Sequence, residues 1–217
     1  MTASTPGDTG TALRREGDRE LPLGPKAQRT RATILTAAAS CFAEQGYAGT
    51  TVADVAEAAG VSLGAVYQYF RDRADLVAAL VNHAMQVMFE RADPTYRVAE
   101  GEDGVHRIIL SFITSYTEIA ALAGVWEEVT HVDEGLADLR RRLGRAFTGR
   151  VEKELRRAAA AGEIRTDLDV ELAARALTGM VDRYCYVTYV FDPPARPPSI
   201  AKSATVLAKL WTASIAP

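Results

Sequence analysis

From Arg29 onward the apolar residues of this chain recur at three- and four-residue spacing, and no stretch alternates apolar and polar positions as a half-buried strand does. Ile34, Leu35, Ala38, Cys41 and Phe42 mark one face of a first helix of about 17 residues, closed by Gly46 and Tyr47. A second helix of only about nine residues carries Val52, Val55, Ala56 and Ala59 and stops at Gly60. Thr51 is placed to cap it, with Asp54 three residues later in capping-box position. Gly60 can take the left-handed conformation required past a helix end, and Ser62 then caps a third helix that ends near Phe70. Asp72 caps a fourth, from Arg73 to Arg91. Later helices are expected near Gly104–Leu122, Gly124–Val132, Glu134–Ala161, Asp167–Phe191 and Ser199–Ser214. Asp93-Pro94, Gly101–Gly104, Gly162 and the stretch DPPARPP separate them. The expected fold class is all-α, with about nine helices.

Met1 to Pro25 lacks periodicity and reads as a disordered tail; residues 26–72 read as one small helical module and 73–217 as a larger bundle. The whole chain of 217 residues carries 25 cations and 28 anions, a net charge of −3, so bulk charge lends no support to a nucleic-acid partner. Placement matters more than the sum, because basic residues flank the short helix pair on both sides. The cysteines, Cys41 and Cys185, each fall inside an apolar helical pattern, as packed thiols of a reducing compartment do. No run approaches the ~18 apolar residues of a membrane span, and the expected location is the cytoplasm. His83, His106 and His131 form no metal-ligand spacing, no nucleophile with a base stands at an enzyme-family spacing, and no cofactor-binding loop is visible, so neither a metal, a cofactor nor a catalytic site is expected.

Two helices joined by a tight glycine turn, with the second able to face outward, form the helix-turn-helix arrangement that sets a recognition helix in the DNA major groove. The stretch RATILTAAASCFAEQGYAGTTVADVAEAAGVSLGAVYQYFRDRADLV resembles the DNA-binding domain of the TetR family of transcriptional regulators over roughly Arg31 to Val81. Its carriers are A-x-x-x-F-x-x-x-G-Y, T-V-x-D-V-A-x-x-A-G-V-S and G-x-V-Y-x-Y-F. The resemblance implies a three-helix head that binds double-stranded DNA, an all-α ligand-binding body, and a homodimer joined through its last two helices. Carried over by position, Leu63, Gly64, Ala65 and Gln68 face base edges from a helix capped by Ser62, and Thr51, Tyr67, Tyr69 and Arg73 hold the phosphate backbone. The Gln68 amide suits adenine, and Arg29 and Arg31 can reach the backbone from the first helix.

In the body, Met85, Phe89, Phe112, Tyr116, Trp126, Phe147, Met180 and Tyr184 recur at helical spacing; each is core or the lining of a pocket for a small, largely apolar effector. Glu127 and His131, four apart beside Trp126, add polar candidates, and Asp182 within an apolar stretch calls for a partner or a ligand. The run Arg140, Arg141, Arg142 with Arg145 reads as a solvated helix face. Tyr186, Tyr189, Val190, Leu207, Leu210 and Trp211 belong to the last two helices, and TGMVDRYCYVTYVF is apolar on more than one face, which favours cover by a second subunit. The leading function is a ligand-responsive repressor reading a palindrome as a homodimer. The other classes left open are a DNA-binding regulator that senses no small molecule and an all-α enzyme or carrier.

Overall fold

The computed structural model describes residues 24–91 and 97–217. The expected tail up to residue 23 and the Asp93-Pro94 break lie outside the described residues, as do the side chains of residues 89–91. Nine α-helices are found among the described residues, with no strand: α1 Pro25–Gly49, α2 Val52–Ala58, α3 Leu63–Tyr69, α4 Arg73–Arg91, α5 Gly101–Glu118, α6 Ala120–Val129, α7 Glu134–Ala160, α8 Val170–Tyr186 and α9 Ile200–Ile215. A 3₁₀ turn at Val98–Glu100 precedes α5, and α8 runs out through a π-helical turn at Val187–Phe191 ahead of the two prolines.

The caps explain the short helices. The Thr51 hydroxyl accepts from the Asp54 amide at 3.2 Å, while the Asp54 carboxylate accepts from the Thr51 amide at 2.7 Å. These two bonds satisfy donors that a helix of seven residues cannot satisfy itself. Ser62 caps α3 through the Ala65 amide at 3.1 Å, and Gly60 takes a φ of +65°, which turns the chain tightly between the two helices. Gly46, with a φ of +70°, interrupts α1 near its end and makes an elbow. Asp169 and Ser199 cap α8 and α9.

The chain divides into two compact units, one running to Ala84 and including Gly124–Leu143, the other made of Met85–Ala123 and Gly144–Pro217. This differs from the single cut expected after Asp72. The start of α4, the end of α6 and the start of α7 pack with the first unit, whose buried residues include Ile34, Phe42, Val55, Val66, Leu76, Val129, Leu136 and Leu139. In the second unit, α5 packs along α9, and its core gathers Ile109, Ile113, Leu155, Leu177, Val181, Leu207 and Trp211. The break between α5 and α6 falls at Ile119, with φ −113° and ψ 16°, and not at Gly124, which lies within α6. Both cysteines are buried and free, and burial, with the nearby Asp182 carboxylate, pushes the Cys185 thiol up to about 12. No single helix among the described residues is long and apolar enough to cross a membrane.

The capping box makes one acid-sensitive element. Hydrogen bonds from the hydroxyl and then the amide of Thr51 hold the Asp54 carboxyl below the usual carboxylate range. Stability from this group is therefore present above the unfolded value, about 3.9, and is lost as pH falls through the lower folded value. Denaturant midpoints taken at pH 5 and pH 3 should fall less for Asp54→Asn than for the unaltered chain.

Candidate DNA-binding site

The sequence of α3 decides which of its sides is available. Val66 is fully buried and Phe70, just past the helix, is 4% exposed, which fixes the inward side. Leu63, Gly64, Tyr67 and Gln68 then stand on the outer side, with Leu63 43% and Tyr67 52% exposed. A methyl group built at Gly64 would meet nothing within 4 Å, so a partner could approach the helix backbone closely there. Ala65 and Tyr69 are half-buried at the flanks. Thr51 and Ser62, both exposed, lie at the N-termini of α2 and α3, where the Thr51 amide and hydroxyl are held by Asp54 and the Ser62 hydroxyl by the Ala65 amide. Arg29 is exposed on α1, whereas the Arg31 guanidinium lies 5.3 Å from the centre of the Phe70 ring.

Arg73 departs from its expected phosphate-binding role. Its guanidinium stacks 3.9 Å from the centre of the Tyr47 ring. Its Nη1 donates to the carbonyls of Tyr47 at 2.7 Å, Thr50 at 2.9 Å and Ala48 at 3.4 Å. Those carbonyls follow the interruption of α1 at Gly46; Tyr47 accepts only a long 3.4 Å bond from the Thr50 amide, and the cation supplies the elbow with further donors from within. The Tyr47 ring stacks on Phe42 from its own helix at 6.1 Å. Thr50 is fully buried and shares its hydroxyl between the carbonyls of Gly46 at 2.8 Å and Cys41 at 3.1 Å. The neighbouring Arg71 is bound by Asp75, at 2.7 Å from its Nε.

Sequence reasoning missed Glu128. Its carboxylate accepts from the Tyr47 amide at 3.1 Å and the Ala48 amide at 3.1 Å, across 81 and 80 residues of chain. The only local signal is the pair of acids at the end of α6, and that signal drew attention to Glu127. Glu127 is ion-paired to Arg140, and His131 is exposed with Nδ1 at 2.7 Å from the Glu127 carbonyl oxygen. Arg141 and Arg142 likewise pair with Glu134 and Asp138.

The expected effector residues divide between the units. Trp126, Glu127 and His131 belong to the first, and Met85, Phe89, Phe112, Tyr116, Phe147, Met180 and Tyr184 to the second. The side chain of Phe89 lies outside the described residues. Phe112 meets Tyr116 at 5.9 Å and Phe147 at 5.3 Å between ring centres. Tyr184 packs edge-on to Tyr189 and shares a 2.7 Å hydrogen bond with Ser203. A surface depression of about 270 Å³ along α5 is lined instead by Arg107, Leu110, Ser111, Thr114 and Ser115. Asp182 is exposed, so the apolar stretch around it holds no buried carboxylate: the residue falls on the outer side of α8 while Val181 and Cys185 face inward. Two residues expected to meet a partner subunit are core instead. Leu207 and Trp211, 4% and 7% exposed, pack inside the second unit, because the inner side of α9 is set by Ala204, Leu207, Ala208 and Trp211. The apolar residues that α9 exposes are Val206 and Leu210. Tyr186, Tyr189 and Val190 are half-buried.

The capped pair α2–α3, with an inward Val66 and an outward Gln68, defines a helix-turn-helix protein. Residues 34–80 match the family described as "Bacterial regulatory proteins, tetR family", and residues 104–191 match "Tetracyclin repressor-like, C-terminal domain". The chain is similar to the "Probable HTH-type transcriptional regulator ArpR" of Pseudomonas putida, 32% identical over 169 residues that cover 72% of this chain and 79% of that one. It is likewise similar to the "HTH-type transcriptional repressor KstR2" of Rhodococcus jostii, 32% identical over 71% of this chain and 76% of that one. SmeT, the repressor of the Stenotrophomonas maltophilia multidrug efflux pump SmeDEF, shares the fold with a TM-score of 0.67 at 25% identity, over 86% of this chain and 90% of its own. Its triclosan complex gives a TM-score of 0.71 at 24% identity, over 88% and 93%. The chain belongs to the TetR family and is a DNA-binding transcriptional regulator; the family is one of regulators, not of enzymes.

If Arg73 holds the elbow, Arg73→Ala should lower unfolding free energy by about 2 kcal/mol in denaturant titration, as expected for charged hydrogen bonds lost from a partly buried site. Arg73→Lys should recover little of it, because an ammonium cannot both stack on Tyr47 and reach those carbonyls.

Proposed function

We propose that the chain represses transcription in the cytoplasm as a homodimer bound to a palindromic operator, and that a small, largely apolar effector releases it. The observation that carries this reading is the outward face of α3, where Leu63, Gly64, Tyr67 and Gln68 stand clear of a core that holds Val66 and Phe70. Gln68 supplies the hydrogen-bonding readout, an amide able to pair with adenine. Leu63 and Ala65 supply apolar contact to thymine methyls. Thr51, Ser62, Tyr67, Tyr69 and Arg29 hold the backbone and set the register. Arg31 backs the α3 end through Phe70, and Arg73 acts by shaping the elbow.

Dimerisation is supported by apolar surface without cover on the last helices. Val206 and Leu210, one turn apart on α9, are 50% and 53% exposed, and Phe191 at the end of α8 is 67% exposed. A twofold axis through such a face presents two copies of α3, and a spacing of ~34 Å would match one turn of DNA. The effector class follows from the apolar residues of the second unit, among them Phe112, Tyr116, Phe147 and Met180. Triclosan, which SmeT binds, is a molecule of that character. An effector acts by favouring a conformation whose two heads are wrongly spaced, and a coupling of about 1–3 kcal/mol is enough to change occupancy.

Gel-shift titrations with a fragment selected from a random DNA pool test the reading. Gln68→Ala should relax preference at one base position by about 1–3 kcal/mol, whereas Arg29→Ala should weaken all sequences and reduce the salt slope by about one. Equal binding by both variants and the parent would refute the assignment. In sedimentation, Leu210→Glu should shift the chain toward monomer and weaken operator binding with it; a dimer as tight as the parent's would exclude this face.

A further inference from the structure

Glu128 sits in the last turn of α6, where the helix dipole disfavours a carboxylate. Both of its oxygens nonetheless accept main-chain amides, one from Tyr47 and one from Ala48, at 3.1 Å each. The corner that carries it is firmly built. Val129 beside it is fully buried, as are Leu136 and Leu139 at the start of α7. Glu127 and Arg140 form an ion pair across the same corner, Arg140 reaches the Thr130 hydroxyl at 3.4 Å, and Asp133 caps the Leu136 amide at 2.9 Å. A fixed corner therefore presents a carboxylate to the elbow between α1 and α2. The same two residues that give their amides to Glu128 give their carbonyls to Arg73.

We infer that Glu128 is a positioning residue for DNA binding: by holding the Tyr47 and Ala48 amides it fixes the elbow, and with it the pitch at which α2 and α3 are carried. The inference rests on the proposed reading of α3 as the element that meets DNA. Glutamine is a poor substitute, since its NH₂ would face one of the two amides in place of an acceptor. Aspartate is one methylene shorter and cannot reach both.

The test compares full-length Glu128→Gln with the parent chain. Amide hydrogen exchange at Tyr47 and Ala48, followed by NMR without DNA, should accelerate at least tenfold. Affinity for a fragment selected from a random pool should fall about tenfold, within the usual range of coupling between sites. The salt slope should stay unchanged, because no phosphate contact is removed. Glu134→Gln, which neutralises an exposed acid at the start of α7 without touching the buried corner or the carboxylate of Glu128, serves as the control and should keep parental affinity. Unchanged exchange at both amides overturns the inference. Affinity within twofold of the parent once the amides are free also overturns it, as does an equal loss in Glu134→Gln. If the parent chain enriches no sequence from the pool, the DNA-reading proposal falls instead, and the exchange data alone then decide whether Glu128 holds the elbow.

Discussion

A helix that stops leaves carbonyls and amides without partners, and in this chain the stop at Gly46 leaves both kinds within a few residues of one another. Arg73 takes the carbonyls of Tyr47, Ala48 and Thr50, and Glu128 takes the amides of Tyr47 and Ala48. Thr50, fully buried, ties the elbow back to Gly46 and Cys41. Charge-assisted bonds of both signs on one short segment make it stiff, and the segment leads directly into α2. The rest of the first unit depends on that stiffness. Neither α2 nor α3, at seven residues each, is long enough to be stable alone, so their orientation is inherited from what they join.

Given that support, the helix pair needs little else. Thr51 with Asp54 closes the start of α2, Gly60 turns the chain, Ser62 starts α3, and Val66 and Phe70 hold it down. What remains outside is an uncharged face of four residues, Leu63, Gly64, Tyr67 and Gln68. The chain carries −3 overall, so no broad basic field accompanies this face. Of the arginines near the helix pair, Arg73 is bound by main-chain carbonyls of the elbow and Arg71 is paired with Asp75 at the surface.

The second unit follows a simpler logic. Its core is a continuous set of aliphatic residues closed by Trp211 and Ile215, and α9 contributes one side to it while leaving Val206 and Leu210 outward. Phe112 packs with Tyr116 and Phe147, and Phe112, Tyr116 and Tyr184 join that core. Cys185 belongs to the same interior, and its raised pKa leaves it a packed thiol with little thiolate at neutral pH.

Local pattern alone determined the all-α class, the short pair α2–α3 with its caps at Thr51 and Ser62, the turn at Gly60 and the family, because each depends on residues within a few positions of one another. On α3 the family resemblance, not periodicity, supplied the outward residues Leu63, Gly64 and Gln68. Periodicity failed on α9, where nothing local shows which side meets its own core, and Leu207 and Trp211 turned out to be inside. The break at Ile119, which no glycine or proline announces, and the inclusion of Gly124–Leu143 in the first unit were decided by packing. So were the intramolecular partners of Arg73 and Glu128. A guanidinium or carboxylate looks the same in sequence whether it meets a phosphate, water or a stranded backbone group, and only the approach of segments about 25 and 80 residues apart settles which partner it takes.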